Sequence, residues 1–143
     1  MCLTTTRATA KIAEEDIVCY KLMEHRGRGR KFGTYRSFFR NFKYCLGTTY
    51  QEAMFVDDVS ATYSYFTKQY NVHYGFHSYK ASVCPNHSET LVKCVIPKGS
   101  KYFIGIGNVG GGQYCSDKIR IEAEWYNGEW VTELPEGRKK KAK

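Results

Sequence analysis

Apolar and polar positions alternate in several stretches of the chain, which is the pattern of β-strands. Residues 16–23 combine β-branched and aromatic side chains and predict a buried strand. Extended segments are also expected at 72–79, at 89–96 and at 101–106. The clearest alternation, at 118–125, predicts an inward face made of Ile119, Ile121, Ala123 and Trp125. The opposite face is expected to reach solvent with Arg120, Glu122 and Glu124.

Two other stretches have apolar residues three or four positions apart, which is typical of helices. One predicts a short amphipathic helix whose core stripe holds Phe32, Tyr35, Phe39 and Phe42. The other predicts a helix beginning near Asp58 or Ser60, with a stripe of Val59, Tyr63, Phe66 and Tyr70. Short helices in the N-terminal half, followed by a mainly antiparallel sheet, indicate an α+β fold.

Length and composition fit one globular domain. The 143 residues are 42% hydrophobic, and no repeat or Pro-rich linker divides them, so we expect one domain over 1–137 and a basic tail over 138–143. No apolar run is long enough to span a bilayer, and the first residues lack the apolar stretch of a secretory signal. We therefore expect a cytoplasmic protein with no membrane contact and with its six cysteines as thiols.

Positive charge is concentrated in two segments of this chain of net charge +8. Residues 26–43 hold seven basic residues, residues 138–143 hold five, and neither segment contains an acid, so the rest of the chain is net negative. In 26–44 the cations alternate with aromatic rings, as in grooves that bind single-stranded nucleic acid. The predicted anion-binding residues are Arg26, Arg28, Arg30, Lys31, Arg36 and Arg40. A core helix with a basic outer face has the same composition. Because four of the rings share one helical stripe, we assign those four to the core and expect Phe38 to be exposed.

Two further patterns resemble sites but lack the necessary context. Four possible zinc ligands fall within fifteen residues, namely His73, His77, Cys84 and His87, but their spacing matches no known ligand pattern. Gly105, Gly107 and Gly110 match a dinucleotide fingerprint, although no helix is expected after them. We predict no metal site and no cofactor, and we interpret the glycines as a hairpin loop.

Segments 18–22, 75–79, 94–103 and 114–121 resemble small proteins encoded by bacteriophages and gut bacteria. That resemblance carries no assigned function and implies a bacterial or phage origin, with the bacterial cytoplasm as the compartment.

The same segments are distantly similar to the ordered motifs of ADP-ribosyltransferases, with Lys21, Ser78, the 97–99 turn, Glu122 and Glu124 at the matching positions. The resemblance implies an ADP-ribosyltransferase-like fold and a nucleotide-handling enzyme that uses Tyr20, Lys21, Ser78 and Glu122 around a cleft near 105–112. Three departures oppose that activity. Lys21 stands where the family has Arg or His, only Ser78 remains of a Ser-Thr-Ser motif, and Lys118 occupies an acidic position.

The sequence thus favours a phage-type binding or modulator protein, not an enzyme, that engages a nucleic acid or an acidic protein through its basic surface. The alternatives are the nucleotide-handling enzyme and a structural or assembly protein whose tyrosine-rich sheet forms an oligomer interface. The oligomeric state is left open.

Overall fold

The computed structural model describes residues 3–25, 31–38, 42–106 and 112–133. Four of the predicted anion-binding residues, Arg26, Arg28, Arg30 and Arg40, lie outside these ranges, as do most of the 105–112 loop and the basic tail. Within the described ranges the chain is almost entirely β-structure, with a single 3-10 turn at Ser60–Thr62.

The described ranges contain thirteen strands. The first seven are β1 (Leu3–Thr5), β2 (Lys11–Ile12), β3 (Ile17–Glu24), β4 (Thr34–Arg36), β5 (Lys43–Cys45), β6 (Thr49–Gln51) and β7 (Tyr70–Val72). The remaining six are β8 (Phe76–Tyr79), β9 (Glu89–Ile96), β10 (Lys101–Ile106), β11 (Gly112–Ser116), β12 (Lys118–Tyr126) and β13 (Glu129–Val131).

Eleven of these strands form one sheet in which each pair of neighbours is antiparallel. The main order is β13-β12-β9-β3-β8-β11-β10-β1-β7, with β2 beside β10 and β6 beside β12. The longest pairing joins β3 to β9, from Ile17 opposite Ile96 to Glu24 opposite Glu89. β4 and β5 form a separate hairpin, in which Tyr35 faces Tyr44 and Arg36 faces Lys43.

Two apolar clusters form the core. The larger one lies between the β4–β5 hairpin and the central strands, and its buried members are Cys19, Met23, Tyr35, Tyr44, Phe76, Val92, Cys94, Ile96, Ile119 and Ile121. The smaller one joins β1, β7, β10 and β11 through Leu3, Val59, Val72, Phe103 and Cys115. Because Tyr35 and Tyr44 both point into the larger cluster, the hairpin covers one face of the sheet.

The predicted α+β class is wrong, because neither expected helix is found in the described ranges and the fold is β-rich. Phe39 of the first expected stripe lies outside those ranges. Residues 34–36 and 43–45 are the arms of the hairpin, and Gly33 enters it with φ of +88°. Aromatic and β-branched residues favour strands over helices, and here each arm finds a partner. A helix-like spacing arises because the chain reverses between Tyr35 and Phe42. Phe42, which was predicted to lie in the core, is 41% exposed. Phe38 is 47% exposed, in agreement with its predicted exposure.

The second expected helix is replaced by the 3-10 turn and a tight loop leading to β7. Asp58 accepts a hydrogen bond from the Ser60 amide at 2.9 Å, and Thr62 exchanges hydrogen bonds with the backbone of Asn71. Phe66 is fully exposed, although the predicted stripe would bury it. Serine and threonine side chains bond readily to nearby backbone groups, and such bonds compete with helix formation.

The predicted alternation on β12 is correct at Ile119, Ile121 and Ala123, which are buried, and wrong at Glu124 and Trp125. A β-bulge shifts the register against β9 between Ile121 and Ala123. Glu124 therefore turns inward and is 3% exposed, while Trp125, expected in the core, is 38% exposed. An inserted residue reverses the faces of a strand from that point onward.

None of the five described cysteines is disulfide-bonded. Among the residues that the structure describes, no helical segment has the length and apolar character needed to cross a membrane.

Candidate functional site

A pocket of about 550 Å³ opens between the β4–β5 hairpin and the face of the sheet formed by β3, β8 and β11. This volume lies within the range of roughly 300–1,000 Å³ found for small-molecule sites. Its lining comes from distant parts of the chain: Lys21, Leu22, Ser37, Phe38, Phe42, Tyr44, Gln51, Glu52, His73, Gly75, Phe76, His77, Ser78, Tyr79, Ser88, Glu89 and Gln113.

Aromatic rings form one wall of the pocket. The ring of Phe42 lies 4.7 Å from that of Tyr44 and 6.3 Å from that of Phe76. Tyr44 and Phe76 are buried, whereas Phe38 and Phe42 remain partly exposed on the hairpin. Ring planes tilted at such separations are a favourable arrangement, and they leave an apolar surface on which a planar group can stack.

Lys21 supplies a cation to the lining of the pocket. Its ammonium group donates a hydrogen bond to the backbone carbonyl of His77 and lies 5.7 Å from the ring centre of Tyr44. No ion pair with a carboxylate is found for Lys21 within the described part of the chain. Loss of hydration lowers the pKa of Lys21, an effect that the nearby thiols oppose.

Two buried polar side chains complete the base of the pocket. Ser78 is 3% exposed and its hydroxyl lies beside the thiol of Cys19, whose pKa is lowered chiefly by a hydrogen bond with Cys94 and further by Ser78. Gln113 is 2% exposed, and its amide nitrogen has no hydrogen-bond partner among the described residues. Such a buried donor costs stability unless a ligand or water meets it, so Gln113 has a donor available to a group that enters the pocket.

Two carboxylates, Glu52 and Glu89, also line the pocket. Glu89 accepts a hydrogen bond from the Asn86 amide at 3.0 Å, which fixes its side chain near the rim. A ligand with amino groups can donate hydrogen bonds to these carboxylates, whereas an acidic side chain entering the pocket would be repelled.

Three exposed basic residues lie on the hairpin or just before it. Lys31 and Arg36, both predicted to bind an anion, are exposed, and Lys43 is exposed opposite Arg36 on the partner strand. This basic rim, defined here as Lys31, Arg36 and Lys43, accompanies the exposed rings of Phe38 and Phe42 on the same hairpin segment.

The four residues named for the enzyme alternative do not come together. Lys21 and Ser78 line the pocket, whereas Tyr20 lies on the opposite face of β3 and stacks 5.7 Å from Trp130. Glu122 forms an ion pair with Arg120 at 2.8 Å and does not line the pocket.

Of the possible zinc ligands, His73 and His77 line the pocket, while Cys84 and His87 are exposed. Across the described ranges no group of three or more His, Cys, Asp or Glu side chains is placed to hold a metal ion.

Sequence reasoning missed Gln113, Tyr44 and Phe42 as site residues. Tyr44 and Phe42 belong to the basic and aromatic segment 26–44. Because that segment was interpreted as a helix, Phe42 was predicted to lie in the core. Gln113 lies beside the glycine loop and carries no recognisable signal in the sequence.

No family model matches this chain, and neither a curated protein nor a solved structure was found to be similar to it.

Proposed function

We propose that this protein binds single-stranded nucleic acid through the β4–β5 hairpin, with one unstacked base entering the pocket. The observation that carries the proposal is the combination, on one hairpin, of the exposed Phe38 and Phe42 rings with the basic rim. Proteins that bind single strands combine cations for the phosphates with aromatic side chains on which bases stack.

The lining of the pocket supports a nucleobase in preference to the side chain of an acidic protein. A base is planar and suits the wall formed by Phe42, Tyr44 and Phe76, and its amino groups can donate to Glu52 or Glu89. The same carboxylates would repel an aspartate or glutamate. Gln113 offers a donor to a base carbonyl.

The first experiment measures the fluorescence anisotropy of a labelled single-stranded oligonucleotide, its duplex and a polyglutamate peptide. We expect the single strand to bind most tightly, with an affinity that falls as salt rises. Each cation that contacts a phosphate of a single strand contributes about 0.7 to the magnitude of the slope of log K against log salt concentration. Replacing Arg36 and Lys43 by Ser should therefore lower that magnitude by about 1.4. The matched pair Lys11→Ser and Lys98→Ser removes two exposed cations that lie on β2 and after β9, outside the hairpin, and should leave the slope unchanged.

The second arm tests stacking. Phe38→Ala with Phe42→Ala should weaken binding by about 1–3 kcal/mol for each base that loses its ring. Tyr65→Ala with Phe66→Ala is the matched control, because these rings are 86% and 100% exposed and do not line the pocket. Equal losses for both pairs, preference for the peptide, or no binding of any polyanion would contradict the proposal.

A further inference from the structure

Lys21 has surroundings that differ from those of a lysine holding a phosphate or a carboxylate. It lies at the wall of the pocket, its described hydrogen bond goes to the uncharged carbonyl of His77, and an aromatic ring lies beside its ammonium group. No carboxylate among the described residues forms an ion pair with it. Among the described residues, the charged form is therefore stabilised by a backbone dipole, the Tyr44 ring and the nearby thiols, and by no carboxylate.

From this geometry we infer that Lys21 is a nucleophilic amine that forms an imine with a planar aromatic aldehyde bound in the pocket. Lysines become nucleophilic when they are desolvated in an apolar pocket, since the neutral amine carries the lone pair. The inference goes beyond nucleic-acid binding and does not depend on it.

The aromatic lining supplies the specificity for such a ligand. Phe42, Tyr44 and Phe76 offer ring surfaces, and the volume of about 550 Å³ accommodates an aromatic aldehyde with its substituents. The buried amide nitrogen of Gln113 can donate to an oxygen substituent of the ring.

The reaction balances without an oxidant or a reductant. The lone pair of the Lys21 amine attacks the aldehyde carbon, and a C–N bond forms as the carbonyl π electrons move to oxygen. The two hydrogens of the amine then leave with that oxygen as one molecule of water, and the C=N bond replaces the C=O bond.

The test traps this imine in the unmodified chain. Benzaldehyde is added at pH 7 with sodium cyanoborohydride, which reduces an imine to a stable secondary amine, and the modified lysines are located by peptide mass spectrometry over time. We expect Lys21 to be alkylated first, ahead of the exposed Lys11 and Lys98. The alkylation rate of Lys21 should exceed theirs by about tenfold for each unit by which the pKa of Lys21 lies below that of an exposed lysine.

Two controls make the result decisive. In the urea-denatured chain the preference for Lys21 should disappear, because the pocket no longer exists. Lys21→Arg keeps the positive charge and a donor for the His77 carbonyl. This variant should lose the early adduct at position 21, and the labelling of the other lysines should not increase. Alkylation of Lys21 at or below the rate of Lys11 and Lys98 would overturn the inference, whatever the oligonucleotide experiments show.

Discussion

The hydrogen bond between Tyr35 and Glu124 ties the β4–β5 hairpin to the main sheet. The Tyr35 hydroxyl donates to Glu124 Oε1 at 2.9 Å, and the two residues are 0% and 3% exposed. A carboxylate withdrawn from water requires such donors. This single contact therefore contributes both to stability and to the position of the hairpin that covers the pocket.

Tyr35→Phe tests that contact with minimal change in volume. Removing the hydroxyl leaves a buried carboxylate with one donor fewer, so we expect the free energy of unfolding to fall by about 1–3 kcal/mol. Urea denaturation followed by intrinsic fluorescence measures the change. Tyr65→Phe, at a side chain that is 86% exposed, is the control and should have almost no effect. A neutral result for Tyr35→Phe would mean that the hydrogen bond does not stabilise the hairpin.

At the scale of secondary-structure elements, strands rich in β-branched and aromatic residues could be predicted from the sequence. β3, β9 and β10 begin and end within one residue of the predicted extended segments. The β12 bulge could not be predicted, because it depends on β9, a partner distant in sequence. The hairpin was not predicted although its two arms are neighbouring segments of the chain. The bulge becomes visible only in the pairing of β12 with β9, and the hairpin aromatics imitate a helix until the turn between the two arms is known.

The approach of β1 to β10 gives Gly105 a structural role unrelated to a nucleotide loop. A Cβ atom at this position would lie 1.9 Å from the carbonyl oxygen of Thr4 and 2.7 Å from Leu3 Cδ2. Backbone atoms of a paired strand cannot move away as a flexible side chain can. Glycine at position 105 is therefore explained by strand packing alone.

Gly105→Ala should accordingly destabilise the protein. We expect a loss of about 1–3 kcal/mol in the free energy of unfolding, since overpacking forces β1 away from β10. Gly112→Ala is the control, because its Cβ would meet only the flexible side chain of Lys80, with Lys80 Cδ at 2.6 Å. Thermal unfolding of the two variants provides the comparison. A larger loss for Gly112→Ala than for Gly105→Ala would contradict this account.

At the scale of the whole molecule, the pocket exists only because the sheet order brings distant segments together. Lys21, His77 and Gln113 come from β3, β8 and β11, which are neighbours in the sheet but distant from one another in the chain, and Tyr44 comes from β5 of the separate hairpin. The sequence could identify Lys21 and Ser78 only through a family resemblance, and it could identify Phe38 as exposed. It had no means of placing Gln113 beside them, because periodicity carries no information on long-range pairing.

The buried amine of Lys21 also makes the stability of the whole molecule depend on pH. Its pKa is lowered from an ordinary value of 10.5 by loss of hydration. Between the lowered pKa and 10.5 the unfolded chain binds more protons than the folded chain, so stability should rise with pH, at most by about 1.4 kcal/mol per unit.

Urea unfolding of the unmodified chain and of Lys21→Met, measured from pH 6 to 9, isolates this contribution. The free energy of unfolding of the unmodified chain should increase relative to that of Lys21→Met as pH rises through the lowered pKa. The curve for Lys98→Met, at an exposed lysine, should run parallel to that of the unmodified chain. Repeating the pair in a Cys19→Ala background removes a thiol whose own pKa Lys21 helps to lower. If the curves for the unmodified chain and Lys21→Met stay parallel, the amine does not remain desolvated in the folded protein, and the basis for its reactivity is lost as well.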